Sequence, residues 1–438
     1  MKNKWTRKII SIFLALTLVF GATLALSSCS LIINSIMGGD DSGDGGGSIQ
    51  GGGSQGGGTQ KGDDENLDFF PIDENVNLEN LTSASTALLS AVKVVATFEL
   101  YDSYGSTTLK QSEGSGVIYK LDKGTGDAYI ITNYHVVYDA SAVNKSRLSE
   151  DISLYLYGQE SDAYKIEATC LGGSMNFDIA VLRVSGSDVL KNSYARAATL
   201  GDSDKIAPLD SVVVIGNPEM QGISVTEGIV SLDSEMLAMR GADGYTAVAL
   251  RVMRVSAAIN KGNSGGGLFD AQGRLVGIVV AKKSSNISHT SNKIDVTESF
   301  GYALPINSVV TTAEAIIFCC DGNTKTTLYL CDIGLAPGVG AMGLVIDSES
   351  GKIFKAEKVI VEAVSHDSIF AGKVGVGDVI NSITVDGVTK TVTRTFHVTD
   401  HLRLARVGSS VSFNITRGDI TFETEPLTLP ASSKVAVK

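Results

Sequence analysis

Apolar and polar positions along the chain alternate in short runs, and this pattern predicts β-strands. Between residues 92 and 184 each run is rich in β-branched and aromatic residues and ends at a cluster of turn-forming residues. The predicted strands cover residues 92–100, 116–119, 128–132, 152–157, 164–170 and 179–184. Closely spaced strands joined by turns are typical of a β-barrel or sandwich, so the predicted fold class is all-β.

The N-terminal segment follows a different pattern. Four basic residues among the first eight precede an uncharged stretch over residues 9–26. The motif Leu26-Ser27-Ser28-Cys29 resembles the lipobox of bacterial lipoproteins, which implies a signal peptide over residues 1–28 and a lipid on Cys29. The alternative is an uncleaved signal anchor, because 18 uncharged residues can just span a bilayer. Both interpretations place the rest of the chain outside the cytoplasm and at a cell membrane.

Residues 29–81 are predicted to form a tether. Residues 38–62 are almost entirely Gly, Ser, Gln and Asp, and a coil of that length has a root-mean-square reach of about 30 Å. An acidic, unpatterned stretch follows as far as Glu79. This composition predicts a spacer that holds a folded domain away from the membrane surface.

Composition indicates the number of domains and disfavours one class of function, nucleic-acid binding. The chain has 438 residues, of which 43 % are hydrophobic, enough for two or three domains with their own cores. The formal net charge of −12 disfavours a nucleic-acid partner.

The stretch Gly262-Asn263-Ser264-Gly265-Gly266 places a serine between glycines, which fits a catalytic nucleophile of two enzyme classes. One is the α/β-hydrolase elbow, which must enter a helix at once. Residues 265–267 are all glycine and begin a helix poorly, and strand-like runs follow them. The other is a serine-protease loop, in which the N–H groups of Gly262 and Ser264 form an oxyanion hole.

Two further residues complete a candidate triad. His135 lies where a predicted strand ends, and Asp178 begins another. Acyl transfer by a serine needs a base and a carboxylate that orients it. The order His135, Asp178, Ser264 along the chain is the chymotrypsin-type order, whereas an α/β-hydrolase esterase needs its base after the serine. Each residue alone also has a structural explanation, and the hypothesis depends on their combination.

Seven sequence blocks support the protease interpretation. They are GSGVI at 114–118, TNYHVV at 132–137, FDIAVL at 177–182, IGNP at 215–218, VTEGIVS at 225–231, AAINKGNSGG at 257–266 and GYALPIN at 301–307. In these blocks the chain resembles the HtrA (Deg) proteases, which are trypsin-like serine proteases followed by PDZ domains. The resemblance implies a two-barrel chymotrypsin-like domain over residues 82–308 with the active site between the barrels, and a homotrimer.

Within that resemblance, Ala258 corresponds to the base of the S1 pocket, the site that holds the substrate side chain before the cleaved bond. A small uncharged residue cannot pair with Lys or Arg, so cleavage after small apolar residues is expected. Two positions depart from the family pattern, namely Lys261, where proline is usual, and Gly267. Neither departure removes a catalytic group, but Lys261 puts the resting shape of the oxyanion loop in question.

The C-terminal part is predicted to be a second β-rich unit. A helix over residues 308–317 belongs to a connecting segment that ends at residue 327, and residues 328–430 resemble a PDZ domain followed by a tail over residues 431–438. Residues 393–404 would form the groove helix. The candidate carboxylate-binding loop is Ile333-Gly334-Leu335, with a plain connecting loop as the alternative.

Other polar groups are expected to be structural. His397, Asp400 and His401 have helical spacing, but no third ligand is evident, so no metal and no cofactor are predicted. Once Cys29 is lipidated, four cysteines remain whose spacing fits no zinc pattern, and they are expected as buried thiols. These are Cys170, Cys319, Cys320 and Cys331.

Together these observations predict a membrane-tethered, extracytoplasmic serine endopeptidase. Its expected substrates are unfolded or misfolded polypeptides, which expose extended segments, and its expected PDZ ligand is a peptide. The alternative is a holdase or adaptor lipoprotein that binds polypeptides through the PDZ groove without cleaving them.

Overall fold

The computed structural model describes residues 82–280, 300–320 and 328–437. The predicted signal peptide, the lipidation site Cys29 and the tether lie outside these residues. Within them, no helix is both long and apolar enough to cross a membrane.

Six antiparallel strands close the first barrel, in the spatial order β1-β2-β3-β6-β5-β4. They are β1 (Ala91–Tyr101), β2 (Thr107–Asp122), β3 (Asp127–Thr132), β4 (Asp151–Leu156), β5 (Ile166–Ser174) and β6 (Ile179–Val184). Their inward positions are aliphatic, so Val94, Ile130, Leu154 and Leu182 meet in one core. Strand β2 is much longer than predicted, because its first half extends beyond the barrel as an exposed ribbon paired with β1.

The second barrel has the same construction, in the order β10-β11-β12-β9-β8-β7. Its strands are β7 (Ser211–Gly216), β8 (Ser224–Arg240), β9 (Ala247–Val255), β10 (Gly267–Asp270), β11 (Leu275–Val280) and β12 (Gly301–Pro305). Apolar residues from facing strands fill its interior, among them Val214, Val230, Leu268 and Val276. A further cluster that includes Ile131 from the first barrel and Ile215 from the second joins the two barrels.

Helices are few and short. They are α1 (Ser83–Leu88), α2 (Asp188–Lys191), α3 (Ile306–Cys320) and α4 (Thr395–Leu402), with single 3-10 turns at Tyr134–Val136, Asp162–Tyr164, Ser203–Lys205, Pro218–Met220 and Ala431–Ser433. Helix α3 is longer at both ends than the predicted helix. Its Ile306, Val309, Ala313, Ile316 and Cys320 recur at intervals of three and four residues and are all buried, so one face packs on the barrels.

The C-terminal unit is a seven-stranded sheet whose main path is β14-β15-β16-β18-β19, accompanied by a two-stranded ribbon of β13 and β21. Its strands are β13 (Leu328–Cys331), β14 (Leu335–Ile346), β15 (Ile353–Val364), β16 (Val379–Val385), β17 (Val388–Thr391), β18 (Ser410–Arg417), β19 (Ile420–Glu423), β20 (Leu427–Thr428) and β21 (Lys434–Val437). Helix α4 covers this PDZ-like set of strands. The predicted fold class, two barrels followed by a β unit with short helices, is therefore confirmed.

Charged side chains join the C-terminal unit to the barrels. Asp204 accepts a hydrogen bond from Lys390 at 2.5 Å, and the His397 Nε2 atom lies 3.4 Å from the same carboxylate. Further pairs cross the interface, among them Asp210 with Lys352, Asp233 with Arg394, Arg251 with Asp400, and Ser308 with Arg403. The Phe396 ring lies against the guanidinium groups of Arg251 and Arg394. Charge complementarity and cation–π contacts therefore hold this interface.

We predict that Asp204→Asn destabilises the protein in a pH-dependent way. Burial raises the pKa of the Asp204 carboxyl, but hydrogen bonds and charge from His397 and Lys390 outweigh burial and hold this pKa well below its usual range. A carboxyl with a depressed folded-state pKa stabilises the fold above the unfolded pKa of about 4, and this contribution is lost as the pH falls towards the folded-state pKa. The variant should lose about 1–3 kcal/mol at pH 7.

Denaturant unfolding of both proteins from pH 7 down to pH 3 measures this effect. The difference between wild type and variant should shrink below about pH 4. Asp188→Asn is the control, because its pair with Lys191 is exposed and should be worth under about 1 kcal/mol. A difference that stays constant with pH would contradict the assignment.

Candidate active site

His135 lies just outside the first barrel because β3 ends at Thr132. Asn133 is extended, and the 3-10 turn Tyr134–Val136 then carries the imidazole away from the strand. The neighbouring Val136 is buried, which anchors the turn, while about a third of the His135 side chain remains exposed. The turn therefore holds the imidazole while part of the side chain stays accessible.

Asp178 holds the imidazole from the next strand of the sheet. It directly precedes β6 with φ of +51°, a left-handed conformation that few residues other than glycine adopt. Its carboxylate oxygens lie 2.8 and 3.1 Å from His135 Nδ1, and one of them also accepts the His135 backbone N–H at 3.1 Å. A carboxylate can only accept, so in the neutral imidazole Nδ1 carries the proton and Nε2 carries the lone pair that a general base needs.

Asn133 supports this arrangement, and sequence reasoning missed it. The residue is fully buried, and its side-chain amide donates a hydrogen bond of 2.9 Å to the Asp178 carbonyl oxygen. It therefore ties the turn before His135 to the strained backbone of Asp178. The available signal was its place in the TNYHVV block, two residues before the candidate base.

Ser264 lies in a loop of the second barrel whose shape requires glycine. Gly262 has φ of +100° and Gly265 has φ of +84°. A Cβ on Gly262 would lie 2.1 Å from the Asn217 carbonyl oxygen, and a Cβ on Gly265 would lie 2.1 Å from the Ser115 carbonyl oxygen. The glycines thus let the loop approach both barrels more closely than any side chain would allow.

Hydrogen bonds to the loop carbonyls set the direction of the candidate oxyanion-hole donors. The Lys261 carbonyl accepts the Glu219 N–H at 2.7 Å, and the Asn263 carbonyl accepts the Gly266 N–H at 2.9 Å. In a trans peptide the N–H points opposite to the carbonyl. The N–H groups of Gly262 and Ser264 therefore point away from Glu219 and Gly266 respectively, and Lys261 does not prevent a defined loop shape.

Contacts between the barrels bring the serine loop to the histidine turn. Ser115 on β2 donates its N–H to the Ser264 carbonyl at 2.8 Å and accepts the Thr132 hydroxyl at its own carbonyl at 2.7 Å. A Cβ on Gly265 would lie 3.1 Å from the Asn133 nitrogen. The segments that carry His135, Asp178 and Ser264 therefore meet at one place between the two barrels.

The predicted S1 residue, Ala258, lies on the segment that leads to the serine loop. Ala258 is exposed, and its carbonyl accepts a hydrogen bond of 2.9 Å from the Thr226 hydroxyl. The residue that faces inward is Ile259, because a Cβ on Gly301 would lie 2.2 Å from the Ile259 Cδ1 atom. Sequence reasoning missed Ile259, although it is the one large apolar residue between Ala258 and Ser264.

The candidate PDZ loop belongs to the C-terminal unit and not to the triad. Ile333 is buried and its carbonyl accepts the Ser368 hydroxyl at 2.6 Å. Gly334 has φ of +66°, and its N–H donates to the Asp332 carboxylate at 2.8 Å. Leu335 is buried and begins β14. The loop is therefore a tight turn that directly precedes an edge strand.

The residues expected to be structural have local partners. His401 Nε2 lies 2.9 Å from the Val388 carbonyl oxygen, and His397 contacts Asp204. Throughout the part of the chain that the structure describes, no group of three or more His, Cys, Asp or Glu side chains is arranged to hold a metal ion. Burial raises the pKa of the Cys170 thiol to about 12 and that of Cys320 to about 11, so both thiols stay protonated at neutral pH.

The chain is similar to known serine proteases. Residues 114–278 match the family described as trypsin-like peptidase domain. The serine protease Do-like HtrA of Lactococcus lactis subsp. cremoris is 36 % identical over 201 residues, which are 45 % of this chain and 43 % of that protein. The serine protease Do-like HtrA of Bacillus subtilis is 36 % identical over 222 residues, which are 49 % of this chain and 42 % of that protein.

Periplasmic serine endoprotease DegP of Escherichia coli is 30 % identical over 280 residues, which are 62 % of this chain and 48 % of that protein. The chain thus spans less than half the length of these relatives. Among solved structures, the HtrA-type protease AlgW with a tripeptide aligns with 81 % of this chain and 96 % of its own, at 23 % identity and a TM-score of 0.46.

The His–Asp pair and the glycine-bounded serine loop lie at the junction of two β-barrels, and His135, Asp178 and Ser264 all fall within the matched residues. Residues 114–278 are therefore similar to the trypsin-like peptidase domain family, and the chain is similar in sequence to the HtrA-type serine proteases.

Proposed function

We propose that this protein is a serine endopeptidase of HtrA type, with Ser264 as nucleophile, His135 as general base and Asp178 as the carboxylate that orients the base. The proposal rests on the hydrogen bonds that the Asp178 carboxylate makes with both the ring and the backbone N–H of His135, beside a loop that holds Ser264 between glycines. These bonds fix the tautomer that a general base requires.

The reaction follows from these roles. His135 Nε2 takes the hydroxyl proton as the Ser264 oxygen attacks the substrate carbonyl carbon. The negative charge that develops on the substrate carbonyl oxygen is stabilised by the N–H groups of Gly262 and Ser264. The imidazolium then protonates the departing amine, which leaves an acyl group on Ser264. Water, deprotonated by His135, releases the acyl group and restores the serine.

The substrate class that we propose is unfolded or misfolded polypeptide, cleaved after small apolar residues. The packing of Ile259 against Gly301 supports this preference, because a large apolar side chain leaves little depth for the substrate residue.

Our proposal for the rest of the chain rests on sequence. Residues 1–28 would be a signal peptide and Cys29 the lipid anchor, with residues 29–81 as the tether, so that the protease domain, residues 82–308, works outside the cytoplasm at the membrane. After the connecting segment 309–327, residues 328–430 would form a PDZ domain for peptide binding or regulation, and residues 431–438 a tail. A homotrimer is proposed from the resemblance alone.

We predict that Ser264→Ala abolishes turnover of an unfolded protein and labelling by a fluorophosphonate. The reason is that both reactions need the Ser264 oxygen as nucleophile. Peptide mass spectrometry after labelling of wild type should place the probe on Ser264. Ser256→Ala, on an exposed serine that accepts the Ile229 N–H, is the matched control and should stay fully active.

Two outcomes would overturn the proposal. If Ser264→Ala clears an unfolded protein as fast as wild type, without producing fragments in either case, the chain is a binding protein of the holdase class. If hydrolysis survives in His135→Ala, the base lies elsewhere, as an α/β-hydrolase esterase requires.

Asp178→Asn should lower kcat by about 10⁴-fold, because an amide presents a donor to Nδ1 and favours the wrong tautomer. The folded structure should be kept, since asparagine has nearly the same shape as aspartate. Steady-state hydrolysis of a peptide substrate, together with circular dichroism, tests this. A kcat within tenfold of the wild-type value would show that the imidazole does not depend on this carboxylate.

Replacement of Ile259 by glycine should deepen the S1 pocket. We expect kcat/KM for substrates with Phe before the cleaved bond to rise relative to Ala substrates by about 10-fold or more, since one side chain of this size is worth about 1–3 kcal/mol in a pocket. Competition between matched Ala and Phe peptides measures the ratio. Ala258→Gly is the neighbouring control. A larger change in the Phe-to-Ala ratio of kcat/KM in that variant would show that Ala258 sets the preference.

A further inference from the structure

Ser115 is a buried residue of β2 that bonds to the serine loop of the other barrel. Its hydroxyl donates to the Gly262 carbonyl at 2.7 Å and accepts the Asn217 N–H at 2.8 Å. Its backbone N–H donates to the Ser264 carbonyl at 2.8 Å. One side chain and its own amide therefore hold both carbonyls of the two residues that supply the oxyanion-hole donors.

Every carbonyl from residue 261 to residue 264 is held by a hydrogen bond. Glu219 N–H holds the first and Gly266 N–H holds the third, while Ser115 holds the second and the fourth. Gly262 lies between two peptide planes and has the rotational freedom of glycine. The Glu219 bond fixes the plane that contains the Gly262 N–H, and the Ser115 hydroxyl fixes the plane on the other side of Gly262, so rotation about this glycine is limited from both sides.

The hydroxyl also joins the loop to the turn that fixes the first plane. Asn217, which donates to the Ser115 oxygen, begins the 3-10 turn that contains Glu219. Only a group that is both donor and acceptor can bond to the Gly262 carbonyl and the Asn217 N–H at once, and serine is the smallest residue with such a group. Space is limited, since a Cβ on Gly216 would lie 2.9 Å from the Ser115 oxygen.

We propose that Ser115 is a positioning residue that holds the oxyanion hole in the shape that binds the transition state. The inference rests on the proposed protease function. Ser115 does not contact the reacting atoms, so substrate binding in the ground state should not need it. Stabilisation of the tetrahedral intermediate does need it, because that intermediate is held by donors whose direction the loop sets.

The test compares Ser115→Ala and Ser115→Cys with wild type on a peptide substrate and a peptide boronic acid, which forms a tetrahedral adduct with the serine. Removal of one oxyanion-hole donor costs 10²–10³-fold in kcat in other serine proteases, and we expect a loss of about 10–10³-fold for Ser115→Ala. KM should stay within about threefold, and boronate affinity should fall in proportion to kcat. Ser115→Cys keeps a weak donor and should be intermediate.

Ser149→Ala is the matched control. Ser149 is buried in the first barrel, and its hydroxyl oxygen lies 2.8 Å from the carbonyl oxygens of Thr97 and Asp151, so it donates to one of these two carbonyls and not to the serine loop. Ser149→Ala should lower the melting temperature as Ser115→Ala does, but it should leave kcat and boronate affinity unchanged.

The inference is overturned if Ser115→Ala keeps wild-type kcat and boronate affinity, or if its loss of kcat is matched by Ser149→Ala at equal loss of stability. If Ser115→Ala does not fold, Ser115→Cys decides by the same criteria. Failure of the proposed function looks different, because wild type itself would then neither cleave the peptide nor be labelled at Ser264.

Discussion

The hydrogen bonds between the first barrel and the serine loop of the second barrel are the constraint on which the candidate site depends. Each barrel supplies only part of the chemistry, since His135 and Asp178 belong to one and Ser264 to the other. The Ser115 amide and carbonyl, bonded to Ser264 and Thr132, join these parts through short, buried contacts. Buried backbone groups must be paired, so the two barrels have few ways to dock, and the paired arrangement sets the place of the loop.

Three of the six non-glycine residues with positive φ in the described part of the chain lie near this junction. Asp178 has a left-handed backbone, as do Glu219 and Met220 in the turn next to the serine loop. Such conformations cost free energy and persist where neighbouring bonds over-determine them. Here those bonds are the Asn133 amide on the Asp178 carbonyl and the Lys261 carbonyl on the Glu219 N–H. The strain therefore lies where the geometry of acid, base and oxyanion donors has to be held.

The candidate triad could be predicted from sequence, because glycine spacing, strand ends and chain order are visible without a structure. The residues that support the triad could not be predicted in this way. Ser115 and Gly262 are separated by 147 positions, and nothing in either neighbourhood identifies the other as its partner. Similarly, the pairing of Asp204 with Lys390 across the C-terminal interface depends on how two units dock. The exposed first half of β2 was missed because polar residues on both faces hide the alternation that marks a strand.

In the proposed mechanism, folding makes Ser264 a nucleophile that carries the acyl group between two half-reactions. Mass spectrometry of wild type, acid-quenched during turnover of a slowly hydrolysed ester, measures this acyl-enzyme directly. We expect a covalent acyl group on the peptide that contains Ser264, at a level that rises in a burst and then stays constant. Turnover with no covalent adduct, or with the acyl group on another residue, would contradict it.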